Sequence, residues 1–376
     1  MDYTFDEEQI MLVDTARKFF EKKAPPAVLR ELLAEEKGYL PDVWTEMGEL
    51  GWTGLVFSEE YGGYEARFVD LAVIFEEMGR AAFQSPFFAT VVLSGLLIQD
   101  SGTEDIKNIY LPKIAGGGYI STLALVGQAG HYHKDDVAFE AEPVDGGYRI
   151  SGTSIFVPYA HVADNIICAA KTPSVGPGAM TLFAVDAKSP GVETKPMKTV
   201  AGDGNECVVR IKDVDVSKAQ IIGEAGKGWE SIENLLPRIS ALLSCECLGG
   251  MDKVVEMTVN HVNERIQFGK PLSAFQAVQH MMADMSCKTE TSRHVAHYAA
   301  WRISEGIESE KEAATAKAYC GEAFKDVTKL AHQVSGGIGF TEEYDLHLYT
   351  RNAKKLELLF GNGSFHRNRV ADKLGL

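Results

Sequence analysis

QVSGGIGFTEEYDLHLYTRNAKKLELLFGNGSFHR, residues Gln333 to Arg367, is the stretch whose reading decides the fold. Gly336, Gly337 and Gly339 stand ahead of an acidic and aromatic cluster, a basic helical segment follows, and the stretch closes on Gly361-Asn362-Gly363. Residues without a Cβ permit close approaches that others block, so a ligand or a second subunit is a natural neighbour of the first turn. Glycines between two helices also serve as plain connections. Beyond them, Ala353, Leu356, Leu359 and Phe360 recur at helical spacing and predict a short helix that Gly361 stops.

Outward from that stretch, composition sets the frame. A chain of 376 residues is too long for one ordinary core and suggests two or three domains. At 45% hydrophobic and 24% charged it has the make-up of a globular protein. Its net charge of -16 argues against a general affinity for nucleic acid or anionic membrane, while leaving room for a local basic pocket. The N-terminus, MDYTFDEEQIMLVD, is acidic and shows no signal or transit pattern. No segment reaches the roughly 18 uninterrupted apolar residues of a membrane span. Six cysteines without a Cys-x-x-Cys pair make zinc or a disulfide framework unexpected, and cytoplasmic residence in a reducing environment is the expectation.

Periodicity divides the chain into three. Ile10, Leu12, Val13, Ala16, Phe19 and Phe20, then Val69 to Met78 and Phe87 to Ile98, follow helical spacing. From about Ile120 to Ile222 the character turns to β, with runs such as Tyr148-Arg149-Ile150 and Thr181 to Val185, and a hairpin signal at Gly146-Gly147. Long amphipathic helices return over Leu235 to Val262, Ala277 to Ser304 and Glu310 to Val334. The expected fold is therefore α+β multidomain: an N-terminal helical domain (1–117), a central β-barrel or sandwich domain (118–226) and a C-terminal four-helix bundle (227–376). Helical bundles of this length bury their remaining apolar faces in oligomers.

This α, β, α order resembles the acyl-CoA dehydrogenase family along essentially the whole chain. Gln333 to Phe340 resembles that family's C-terminal signature, whose Gly-Gly-x-Gly-[FY] turn approaches the adenosine of FAD. Asn263 to Pro271 with Phe275 to Gln279 resembles its Arg-x-x-Phe-Gly turn, and Glu59-Glu60-Tyr61-Gly62-Gly63 its Pro-Glu-x-Tyr-Gly-Gly loop. The resemblance implies FAD held by Arg265, Phe268, Gln276, Gln333, Gly336, Gly337 and Gly339, with Asn362 and, at the flavin ring, Phe156 as further contacts. A guanidinium such as that of Arg265 suits paired, charge-assisted bonds to phosphate. It also implies a dimer or tetramer, homomeric or heteromeric, formed through the bundle. At the ring half the sequence departs from the pattern. The 126–136 loop is atypical, and Pro158 stands where a hydroxyl and an N–H donor are usual, which implies looser flavin binding.

Desaturation of an acyl-CoA needs a carboxylate to remove the α-proton. The family's usual position for it, counted from the glycine turn, holds Phe360, and the alternative position falls near Ile239. Two acids are candidates. Glu246 lies seven residues beyond Ile239 on the same helical face, among apolar neighbours that would raise its pKa. Glu357 lies one turn before Phe360. A base donated from elsewhere, or none, stays open. Arg238 matches a family arginine that meets the CoA nucleotide phosphate, and a surface arginine is the competing reading. His131, His133, Asp135 and Asp136 read as a surface loop rather than a metal site, and Cys245 and Cys247 as small core residues.

The resemblance implies FAD-dependent α,β-dehydrogenation of an acyl-CoA, with electrons passed to an electron-transfer flavoprotein. The departures resemble the branch built from two different subunits, whose substrates are often cyclic or bulky. Two alternatives stand beside it: a non-catalytic partner subunit supplying the adenosine half of a neighbour's FAD site, and the same fold used for non-oxidative acyl-CoA chemistry.

Overall fold

The computed structural model describes residues 5–33, 35–201 and 205–376. The first four residues of the acidic N-terminal stretch lie outside them. Six helices come first: α1 (Glu7–Lys23), α2 (Pro26–Leu32), α3 (Pro41–Glu49), α4 (Phe68–Arg80), α5 (Leu97–Ser101) and α6 (Glu104–Ala115). Eight strands follow: β1 (Ser121–Ala124), β2 (Phe139–Val144), β3 (Gly147–Pro158), β4 (Asn165–Lys171), β5 (Met180–Asp186), β6 (Val192–Pro196), β7 (Glu206–Ser217) and β8 (Ile221–Ile222). The chain then runs through α7 (Gly228–Glu264), a small hairpin of β9 (Ile266–Gln267) and β10 (Lys270–Pro271), α8 (Gln276–Ser304), α9 (Glu310–Ser335), α10 (Leu346–Leu358) and α11 (Gly363–Leu374). The expected helical, β and helical succession is what the chain forms.

Two compact units divide it, each from separate stretches. The first comprises Met1–Arg30, Arg67–Phe83 and Pro237–Leu376. Helix α1 opens with a reciprocal cap, in which Asp6 accepts from the Gln9 N–H and the Gln9 side chain accepts from the Asp6 N–H. Helix α4 crosses α7 at a pair of glycines. A Cβ on Gly79 would stand 1.9 Å from the Glu246 carbonyl oxygen, and one on Gly249 would stand 1.8 Å from that of Glu76. Only bare backbone fits there. Small residues keep α8 and α9 close as well, with Ala241, Ala299, Ala313 and Ala316 sharing one buried cluster.

Several charges in the interior of this unit are paired, which offsets their desolvation. Glu77, 2% exposed, takes a two-pronged contact from Arg17 at 2.6 and 3.0 Å. Arg293 reaches Asp252 at 2.6 Å and Glu76 at 3.3 Å, and Glu76 also meets His297 Nε2 at 2.7 Å.

The second unit comprises Glu31–Ala66 and Gln84–Leu236. Its strands join into one mixed sheet in the order β6-β7-β3-β2-β4-β5-β8, with β1 added parallel to β4. The β2–β3 hairpin turns at Asp145-Gly146, with Gly146 at φ 79°. Strands β4 and β5 are buried on both faces over almost their whole length, whereas the edge strand β6 is largely exposed. The segment expected as an ordinary helix from Phe87 to Ile98 is instead a π-helix over Phe88–Leu96 that continues into α5. Ala89 to Leu96 are all buried there, so packing on every side leaves no amphipathic face to fix the helical period.

Among the described residues, no helix is long and apolar enough to cross a membrane.

Candidate functional site

The glycine turn forms as a tight 3₁₀ segment, Gly336–Phe340, joining α9 to α10. Gly336 has φ 63°, and a Cβ placed on Gly336 or Gly337 would meet nothing within 4 Å. The positive φ favours glycine at 336 by itself, no neighbour among the described residues accounts for Gly337, and the backbone lies open at that point. Gly339 differs: it is buried, and a Cβ there would press on His332 Nδ1 at 3.1 Å. Gln333 is exposed beside the turn, and Phe340, 76% exposed, stacks on His332 with ring centroids 4.9 Å apart.

Arg265 follows the end of α7 and is exposed. The sequence suggests a simple helix break here. The structure instead turns through the β9–β10 hairpin, with Phe268 at φ 52° and Gly269 at φ 78° in its two-residue loop. That conformation pushes the Phe268 ring outward to 92% exposure, a position that no core packing accounts for. Lys270 Nζ stands 4.3 Å from the Phe275 ring centroid, and exposed Gln276 begins α8.

Between α9 and α10 lies a cleft of about 760 Å³, with Gln333, Gly336, Gly339 and Phe340 at one end and basic side chains along both walls. Sequence reasoning had not picked out those basic groups. Their signal was present, since Lys325, Lys329 and His332 follow the i, i+4, i+7 spacing, and His347, Arg351 and Lys354 repeat it.

The two candidate bases have opposite surroundings. Glu246 on α7 is 8% exposed, and burial pushes its carboxyl up to about 7 against Lys355 and Asn352, which favour its charged form. Burial also works against the charge of Glu357. There Lys354 at 2.6 Å and Lys325 at 3.5 Å prevail and hold its carboxyl below the usual range.

Where the short helix was expected to run to Gly361, α10 stops at Leu358. Leu359 turns extended, and Phe360 takes φ 54° with its side chain buried. The reason is Lys317. Its buried ammonium takes up the Leu356, Glu357 and Gly361 carbonyls at 2.8, 3.3 and 3.1 Å. The neighbouring His366, which burial pushes down to about 3, is neutral and donates from Nε2 to the Phe360 carbonyl at 3.1 Å. Asn362 caps α11, its side-chain oxygen accepting from the Phe365 N–H at 3.0 Å, and the residue is exposed.

Arg238 lies on α7 and is half-buried, and the desolvation of its guanidinium pushes it down to about 10. In the sheet unit, Phe156 has φ 55° within β3 and is 42% exposed, and the Pro158 carbonyl accepts from Thr122 Oγ1 at 2.6 Å. The 126–136 loop folds around Asp136, whose carboxylate accepts from the backbone of His131 at 2.7 Å and Ala129 at 3.4 Å. His133 pairs with Asp135 at 3.3 Å on the surface.

By architecture this is a helix–sheet–helix protein with an open glycine turn beside a basic cleft. Residues 6–118 match the model for the acyl-CoA dehydrogenase N-terminal domain, and residues 226–375 match that for the acyl-CoA dehydrogenase C-terminal domain. The chain belongs to the acyl-CoA dehydrogenase family, and with that it is a flavoprotein oxidoreductase whose cofactor is FAD. It is 28% identical to acryloyl-CoA reductase (NADH) of Anaerotignum propionicum, over 99% of this chain and 95% of that one. The short-chain specific acyl-CoA dehydrogenase of Clostridium acetobutylicum is likewise 28% identical, with 100% of both chains covered. Among solved structures, a chain described under "Electron transferring flavoprotein of Acidaminococcus fermentans: Towards a mechanism of flavin-based electron bifurcation" is 28% identical. It superposes with a TM-score of 0.92, over 100% of this chain and 99% of that one. FAD fits the residues present: the Gly336-Gly337 backbone is open, and cations line the cleft beside it.

Proposed function

We propose that this chain catalyses α,β-dehydrogenation of an acyl-CoA thioester with Glu246 as the base. The observation that carries the reading is the contrast between the two acids. Glu246 is buried with a pKa near 7, where a carboxylate is both ionised in part and basic enough to take a weakly acidic proton. Glu357 is neutralised by two lysines, and Phe360 occupies the corner. FAD, held by the residues assigned below, would supply the acceptor for the hydride that leaves the β-carbon. Glu246 removes the α-proton and retains it, since its burial favours the protonated form.

Arg265, Phe268, Gln276, Gln333, Gly336, Gly337 and Gly339 are the residues we assign to the adenosine half of FAD, and Phe156 to the ring. Asn362, whose side-chain oxygen caps α11, keeps its amide N–H donors for the same cofactor. Arg238 precedes Glu246 by eight residues, about two turns of α7, and its desolvated guanidinium suits a CoA phosphate. An electron-transfer flavoprotein is the acceptor this reading implies, an oligomer built through the C-terminal helices its assembly, and the divisions 1–117, 118–226 and 227–376 its functional domains.

A second reading is favoured by the buried Phe360, which leaves the corner after α10 without an acid. On that reading the chain is a partner subunit that completes a neighbour's FAD site. Expression of the full chain alone separates the two. Bound flavin that is bleached anaerobically by an acyl-CoA supports the dehydrogenase. Flavin retained only on co-expression with a second subunit, and reduced only by that subunit's base, supports the partner role and overturns the first reading.

A further inference from the structure

The basic stripes of α9 and α10 face each other across the 760 Å³ cleft, and their charges are not evenly compensated. At the end far from the glycine turn, Lys325 and Lys354 share Glu357, at 3.5 and 2.6 Å. One turn nearer the glycines stand Lys329 and Arg351, and neither has an ion pair or a hydrogen bond among the described residues. Next to the turn come His332 and His347. His332 bonds Thr350 Oγ1 through Nε2 at 2.7 Å, whereas its buried Nδ1 and both buried ring nitrogens of His347 have no hydrogen-bond partner. The backbone of Gly339 beside His332 and of Glu342 beside His347 favours the charged rings, and no side chain does so through a hydrogen bond to these nitrogens.

Buried polar nitrogens without partners are costly, and two unneutralised cations on facing helices repel. An acidic chain of net charge -16 has carboxylates available elsewhere, yet none answers these cations within the described residues. The open backbone of Gly336 and Gly337 adjoins the same end, so a ligand can come within bonding distance of main-chain N–H groups there. A diphosphate supplies what this end lacks: negative charge spread over several acceptor oxygens.

We propose that Lys329 and Arg351 are the diphosphate-binding cations of an adenine-nucleotide seat at the glycine-turn end of this cleft, with His332 and His347 as hydrogen-bonding neighbours. The proposal rests on the reading that Gln333 to Gly339 receive the adenosine half of FAD, and it adds to that reading two cations from outside the turn. Glu357 then has a role of its own. By pairing with Lys325 and Lys354 it offsets part of the positive charge at the far end, whereas Lys329 and Arg351 keep all of theirs.

The test is titration of the purified full-length chain with FAD, ADP and, as a flavin lacking the adenylate, FMN. Lys329→Met and Arg351→Met are compared with the unsubstituted chain at low and high salt. The expected result is ADP competing with FAD, and each substitution weakening both by about tenfold, the loss of one charge-assisted contact. The loss should shrink at high salt, and FMN binding should stay unchanged. Lys329 is an exposed helical residue, where substitutions usually shift stability only slightly, so the measurement remains readable even where Arg351→Met perturbs α10. FAD and ADP bound equally well by both variants and the unsubstituted chain would overturn the role of these cations and leave the FAD reading standing. An unsubstituted chain that binds neither FAD nor ADP would overturn both.

Discussion

Lys317 donates from Nζ to the Gly361 carbonyl at 3.1 Å, reaching from α9 to the corner that follows α10. The same ammonium holds two carbonyls of the last turn of α10, where the helix leaves acceptors unpaired and a partial negative charge. Lys317→Met keeps the apolar stem and removes all three bonds. We expect a loss of about 3 kcal/mol, from buried acceptors left unsatisfied, read as a lower midpoint in denaturant unfolding. The Phe360 corner should loosen with it, seen as faster amide exchange at Gly361. Unchanged stability would mean that solvent replaces the ammonium.

The glycine crossing of α4 and α7 makes a second prediction. Gly79→Ala places a methyl against the Glu246 carbonyl, which is backbone and cannot swing away. The helices must separate, at a cost of about 1–3 kcal/mol for overpacking. Since Glu246 rides on the displaced segment, dehydrogenase turnover should fall further than stability alone explains. Thermal unfolding and turnover, measured together on the variant, check both parts.

How much of this was legible beforehand differs from element to element. Helices α8 and α9 showed in their apolar spacing because each keeps an exposed stripe, α7 showed by its length of apolar and helix-forming residues although 239–251 are buried all round, and the Asp145-Gly146 hairpin showed because its turn chemistry is local. The π-helix at Phe88–Leu96 could not be read, since it is buried on all sides and period carries no information there. The early end of α10 was hidden for another reason: it is set by Lys317, 39 residues upstream of its first partner Leu356, and periodicity sees no such contact. For the site, the glycine turn and Glu246 were marked by motif and by apolar surroundings. Lys329 and Arg351 were equally regular in spacing but looked like ordinary solvated faces until α9 and α10 were seen to oppose each other.

The pKa of Glu246 gives a pH-dependent stability. In the folded chain it lies at about 7, above its ordinary 4.5. Between those values the folded state holds a proton that the unfolded state has released, so this group's contribution to stability falls as pH rises through the window. Glu246→Gln carries no charge at any pH. We expect it to be more stable than the unsubstituted chain above pH 7, by up to about 3 kcal/mol, and the advantage to vanish toward pH 4.5. Denaturant unfolding at several pH values checks this without reference to activity.

Single-turnover reduction of the FAD-loaded chain by acyl-CoA, followed through the loss of flavin absorbance, bears most directly on Glu246 as the base. For Glu246→Gln we predict a rate lowered by about 10²- to 10⁴-fold, the usual contribution of a positioned base, with FAD binding retained. For the unsubstituted chain the rate should rise with pH through about 7, as the carboxyl ionises. A Glu246→Gln chain that bleaches as fast as the unsubstituted one, with the same pH profile, would contradict the assignment.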